Sequence, residues 1–172
     1  MFIVTISKLL CGLLLLAMAF PANGHYAAQP KVRKFKGAYF EITYPAGFSP
    51  RRSLPSNSFE GEYDSAFFTA ADGSIEFYVF SPLWNGKPDD IERDADKEEV
   101  VSQTLEQNGA IKTRRVTLKA KDSSYMRSFE DTENTETNTR KVFGIKYRDQ
   151  SAYNKYRQHY LMFKKSLRRF SD

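Results

Sequence analysis

Along residues 38–44 apolar and polar positions alternate, which predicts a strand with Phe40, Ile42 and Tyr44 on one face. Pro45-Ala46-Gly47 closes it with a turn, and the Pro/Ser-rich stretch 48–62 reads as a loop or short irregular crossover. Residues 63–71 and 74–82 flank Asp72-Gly73, a dipeptide suited to a two-residue hairpin turn. That turn sets Ala70 opposite Ile75, Phe68 opposite Phe77 and Ala66 opposite Val79, all apolar and on one face. Thr69 faces Glu76 on the other.

After the loop Trp84-Asn85-Gly86-Lys87-Pro88, the composition predicts a helix capped by Asp89 or Asp90 and stopped at Asn108-Gly109. Its apolar stripe is thin: Ile91, Ala95, Val101 and Leu105. A strand then alternates Val116, Leu118 and Ala120 with Arg115, Thr117, Lys119 and Lys121. A second is expected over 124–131, a polar loop over 132–139, and a return strand on Phe143, Ile145 and Tyr147. The last element is the best patterned. Tyr153, Tyr156, Tyr160, Phe163, Leu167 and Phe170 form one helical stripe, with Lys155, Lys164, Lys165, Arg168 and Arg169 off it. Strands joined by short turns imply an antiparallel sheet flanked by helices that close its faces, an α+β sandwich.

The pattern fails at the amino end. Residues 1–24 carry Lys8, an apolar run from Leu9 to Phe20, and the small residues Ala22 and Gly24 before His25. This predicts a secretory leader cut before His25, and a periplasmic or secreted product. The run is too short for a permanent membrane span. Residues 25–37 read as a flexible arm and 38–172 as a single domain. Cys11, the only cysteine, falls in the leader, so the mature chain has no disulfide or thiolate site. The aromatic content of 15% suits a solid core.

The net charge of +5 is segregated. Between Glu60 and Glu106 thirteen acids face three cations, and from Arg140 onward ten cations face two acids. This points to a basic surface for an anionic partner.

The stretch Tyr39-Phe40-Glu41-Ile42-Thr43-Tyr44-Pro45-Ala46-Gly47-Phe48 resembles the opening strand of PsbP-like domains. The order of elements is similar too, as is the closing helix with Tyr153, Tyr156, Phe163-Lys164-Lys165-Ser166-Leu167 and Phe170. The resemblance spans roughly Ala38 to Phe170 and implies an α-β-α sandwich. That family holds photosystem assembly subunits, a Ran-binding import factor and bacterial envelope proteins. It implies a binding or assembly role and supplies no catalytic set.

Candidate chemistry is sparse. An exposed amino-terminal His25 could chelate copper with His159, but no cluster of histidines or cysteines supports a zinc site. The acids Asp89, Asp90, Glu92, Asp94, Asp96, Glu98 and Glu99 lack the glycine and bidentate acid of a calcium loop. There is no Gly-x-Ser-x-Gly elbow, phosphate loop or dinucleotide fingerprint, so no cofactor is expected. Glu41 and Glu76 lie on polar strand faces. Basic residues carry the expected site: Lys31, Arg33, Lys34 and Lys36 on the arm, Arg115, Lys119 and Lys121 on one strand face, and Trp84 for apolar contact. The reading is a monomeric, non-catalytic envelope accessory docking a lipid headgroup, an acidic glycan or another envelope protein. Nucleic acid is excluded by address and by the lack of a recognition motif. The alternatives are a carrier with an apolar pocket between helix and sheet, and a hydrolase or metal-dependent enzyme assembled from scattered residues.

Overall fold

The computed structural model describes residues 31–170. The expected leader, Cys11 and His25 lie outside the described residues.

Ten strands and one α-helix follow in the order β1 (Val32–Lys36), β2 (Phe40–Pro45), β3 (Phe48–Arg52), β4 (Ser65–Ala70), β5 (Ile75–Phe80), β6 (Glu98–Asn108), β7 (Ile111–Ala120), β8 (Met126–Asn134), β9 (Thr139–Tyr147), α1 (Gln150–Lys165) and β10 (Arg168–Arg169). A single 3-10 turn, Asp89–Ile91, stands between β5 and β6. The strands form a three-stranded sheet, β1-β2-β10, and a seven-stranded sheet, β3-β4-β5-β9-β8-β7-β6, antiparallel throughout.

The core lies between the two sheets and the helix. Phe35, Phe40, Ile42 and Tyr44 come from the small sheet, Phe68, Phe77, Val79, Phe143 and Ile145 from the large one, and Phe163 from α1. Phe163 sits 5.2 Å from Phe68 and 5.3 Å from Phe77, ring centre to ring centre. Tyr160 lies 5.2 Å from Phe77, and Tyr156 meets Phe48 edge-on at 5.5 Å. Each aromatic pair adds about 1 kcal/mol beyond area burial. These rings fill most of the space where the carrier alternative would put its pocket; an apolar depression of about 200 Å³ remains between β2 and α1, beside Tyr44, Met162 and Phe163.

The hairpin of β4 and β5 has the expected register, with Ala66 opposite Val79, Phe68 opposite Phe77 and Thr69 opposite Glu76. Its turn differs. Only Gly73 has positive φ, at 64°, while Gly73 N–H donates to the Ala70 carbonyl and Asp72 Oδ1 accepts from Ser74 N–H. The closing helix holds too, but ends at Lys165. Asp149 caps its start, accepting from Ala152 N–H at 2.9 Å. Beyond it Ser166 Oγ accepts from Thr43 N–H at 2.8 Å, tying the helix end to β2. Leu167 still packs on the core, whereas Phe170 is partly exposed.

Four expectations need correction. The helix over 89–108 is instead the 3-10 turn, an irregular stretch with a turn at 95–97, and then β6. Val100, Val101 and Thr104 are β-branched, and pairing with β7 satisfies the backbone groups on the inner side of this edge strand. The fold therefore has one α-helix among the described residues, so the large sheet is covered by a helix on one face only. The arm is strand β1 over Val32–Lys36, paired with β2 through Phe35 opposite Ile42. Finally, the loop after Gly47 opens with β3 along β4.

Candidate functional site

The face of the large sheet away from α1 is covered by loop, not helix. Register places Tyr78, Gly144, Phe129, Val116 and Gln103 in one row across β5, β9, β8, β7 and β6. Phe80, Val142, Asp131, Arg114 and Leu105 form the next row. Gly144 is needed where it stands. A Cβ there would lie 2.6 Å from Phe129 Cε1 and 3.0 Å from the Tyr78 Cβ, so the Phe129 ring occupies that space.

Residues 81–97 run over this face and are held by side chains from below. Tyr78 OH and Ser65 Oγ both donate to Asp90, at 2.7 Å each. Arg127 donates to the carbonyls of Ile91 and Glu92, and Arg140 Nη1 to that of Gly86 at 2.8 Å. Arg127 also grips Glu98 at 2.6 Å, and Tyr125 OH donates to the same carboxylate at 2.8 Å. Burial works to raise the Glu98 carboxyl, but Arg127 and Tyr125 outweigh it and hold it below the usual range. The Tyr78 phenol is pushed far up, first by burial and then by Asp90.

Between this segment and the sheet lies an open groove of about 540 Å³. Its floor is apolar: Val116, Leu118, Phe129, Val142, Ile91 and Val100. Its walls carry Lys87, Arg93, Arg114 and Arg140 beside Asp89, Glu92 and Asp131. Arg140 binds Asp131 through two parallel hydrogen bonds, 2.8 and 2.7 Å. Lys87 is engaged by Asp89 at 3.3 Å and Glu92 at 3.0 Å. Arg114 is left with little: its Nη2 stands 3.8 Å from an Asp131 already doubly bound, and half of the side chain is exposed. Arg93 uses only Nε, donating to the Glu98 carbonyl at 3.3 Å. The groove thus offers guanidinium donors above an apolar floor, while its buried carboxylate is neutralised.

A neighbouring depression of about 330 Å³ holds Glu98, Asp90, Tyr125 and Arg127. A third, of about 380 Å³, brings Trp84 and Lys87 near Asp64. Asp64 is nine-tenths buried, and its Oδ1 has no hydrogen-bond partner. Burial raises its carboxyl above the usual value, only partly offset by Ser56.

The expected basic residues divide between the two sheets. Lys31 and β1 with Arg33, Lys34 and Lys36 sit on the helix side, where Phe35 enters the core. Lys34 pairs with Glu41 at 2.9 Å. On β7, Arg115 is held by Glu106 at 2.9 Å and Glu130 at 3.3 Å, and Lys119 stands opposite Glu99. Lys121 Nζ donates to the Ala95 carbonyl. Trp84 lies apart from all of these, on the segment covering the groove side, 55% exposed. The sequence reading passed over Arg114, whose signal was available. Alternation that turns Arg115 to one face turns Arg114 to the other, alongside Val116 and Leu118. The acidic run is dispersed: Asp90 and Glu98 anchor the sheet contacts, while Asp94 binds Lys97 at 2.9 Å. Among the described residues no group of three or more His, Cys, Asp or Glu is arranged to hold a metal ion. Nor is any described helix long and apolar enough to cross a membrane.

No protein-family model matches the chain, and comparison with curated proteins finds no match. Among solved structures it is similar to cyanobacterial PsbP (CyanoP) from Synechocystis, at 8% identity and a TM-score of 0.49, covering 84% of this chain and 96% of that one. It is also similar to the Saccharomyces cerevisiae Ran-binding protein Mog1p, at 10% identity and a TM-score of 0.39, covering 81% and 95%. A Mog1 mutant follows at 12% identity and 0.42, covering 83% and 96%. The solved structures to which the chain is similar thus include a PsbP, the family whose resemblance is read from residues 38–170.

Proposed function

We propose that this chain is a non-catalytic binding accessory of the cell envelope that docks an anionic partner in the groove beneath residues 81–97. The carrying observation is the pairing of a half-exposed, under-used Arg114 with an apolar floor of Val116, Leu118, Phe129 and Val142. Such a surface suits an acidic group borne on an apolar body, since the guanidinium offers a bidentate fork for a phosphate or carboxylate. The same groove is poorly built for acid–base chemistry. Its buried carboxylate, Asp131, is clamped by Arg140, and in the adjoining depression Glu98 is held charged by Arg127. The envelope address rests on the leader read from residues 1–24.

Binding to vesicles of phosphatidylglycerol in phosphatidylcholine tests this reading. The chain is expected to bind these and not phosphatidylcholine alone, and to weaken as salt is raised. Arg114→Glu is expected to lower the affinity by about tenfold or more, the scale of one charge-assisted contact reversed. Binding that ignores both salt and Arg114→Glu overturns it.

A further inference from the structure

The two edges of the seven-stranded sheet are built differently. β3 is five residues long and carries Pro50, Arg51 and Arg52, devices that prevent another strand from pairing with it. β6, at the other edge, is eleven residues long and contains neither proline nor a cation. Among the described residues nothing pairs with its outer side. After Glu98 every residue of β6 is exposed, including Val100 at 43%, Val101 at 53% and Leu105 at 71%. β6 has Glu99 and an irregularity near its start, but beyond them its only charge is Glu106 and it bears the exposed Leu105, which marks residues 102–108 as a pairing surface.

The sequence of β6 says what fits it. Register with β7 slips between Val100 and Ser102, so the regular part is residues 102–108. Its middle residue is Leu105, the most exposed large hydrophobic side chain among the described residues. An antiparallel two-fold through Leu105 sets that residue against its own copy. Gln103 then faces Gln107, Thr104 faces Glu106, and Ser102 faces Asn108. No like charges oppose each other, and an apolar pair sits on the axis.

We propose that the protein forms a two-fold dimer in which β6 pairs with β6 of a second copy about Leu105, joining the two large sheets into one. This replaces the monomer expected from sequence. A two-fold normal to the sheet keeps both grooves on one face. On the reading above, that would let two sites engage one anionic surface together.

Sedimentation of the full chain, and of its Leu105→Lys variant, gives the first test. At about 50 µM, ample for a micromolar self-association, wild type is expected as a dimer and Leu105→Lys as a monomer with an unchanged circular dichroism spectrum. Cysteine cross-linking in a Cys11→Ser background fixes the register. Neighbouring residue pairs in an antiparallel ladder alternate between wide and close spacing. Therefore either Leu105→Cys alone, or Thr104→Cys mixed with Glu106→Cys, is expected to form a disulfide dimer on mild oxidation. Val101→Cys is expected to form none. A monomeric wild type overturns the proposal, whether the edge stays open or is covered by residues 1–30 or by another protein. A dimer unaffected by Leu105→Lys, or cross-linked through Val101→Cys, overturns it as well. Neither result depends on whether the groove binds an anion.

Discussion

Asp64 is a residue whose chemistry runs against its surroundings. Its Oδ1 is buried without a partner, and burial raises its carboxyl. An acid whose folded pKa lies above its unfolded one destabilises the fold above the folded pKa, and the penalty disappears as pH falls through that value. Asp64→Asn is therefore expected to stabilise the protein by about 1 kcal/mol at pH 7, raising the melting temperature by about 2–4 °C. The gain should vanish near pH 3. Thermal melts of both proteins across that range check the sign; a variant less stable than wild type at pH 7 refutes it. The alternation expected over residues 63–71 puts Asp64 on the face of Ala66 and Phe68, but β4 starts only at Ser65, and nothing in the sequence shows that one oxygen of this acid lacks a partner. The same holds for Gly144, whose lack of a side chain matters only because β8 brings the Phe129 ring over it.

At the scale of elements, legibility tracked how one-sided each element is. α1 buries one face and leaves the other exposed, and the β4–β5 hairpin is pinned by its turn and an unbroken apolar row on the core face. Both are therefore legible in the sequence, although β5 buries Tyr78 and Phe80 on its other face too. β6 is exposed on both faces past Glu98, which erases alternation and leaves only an acid-rich composition that resembles a helix. Asn108-Gly109 suits a helix stop and a hairpin alike; Gly109, with φ of 56°, opens the two-residue turn into β7. β1 was hidden for a related reason: only Phe35 among its residues is buried. For α1, the contribution of its cap can be measured. Asp149→Ala removes the acceptor for Ala152 N–H and is expected to cost about 1 kcal/mol in urea unfolding. An unchanged midpoint would mean that packing alone sets the start of this helix.

Across the whole molecule, the main aromatic core and the proposed binding groove lie on opposite sides of one sheet. The rings of the helix side pack on one another, so most of the apolar content legible in the sequence serves folding there. The groove could not be read in advance, since it depends on residues 81–97 crossing the sheet, and that path is fixed by Asp90, Arg127 and Arg140 at long range. The basic residues first singled out were legible as charge but not as free charge: Arg115 and Lys34 turn out to be paired. The sharpest test sets the two sides against each other in phosphatidylglycerol vesicle binding. Removing the groove cations with Arg93→Ser and Arg114→Ser together is expected to abolish binding, while Arg33→Ser with Lys36→Ser on the helix side leaves most of it. Loss with the helix-side pair and retention with the groove pair would contradict the account.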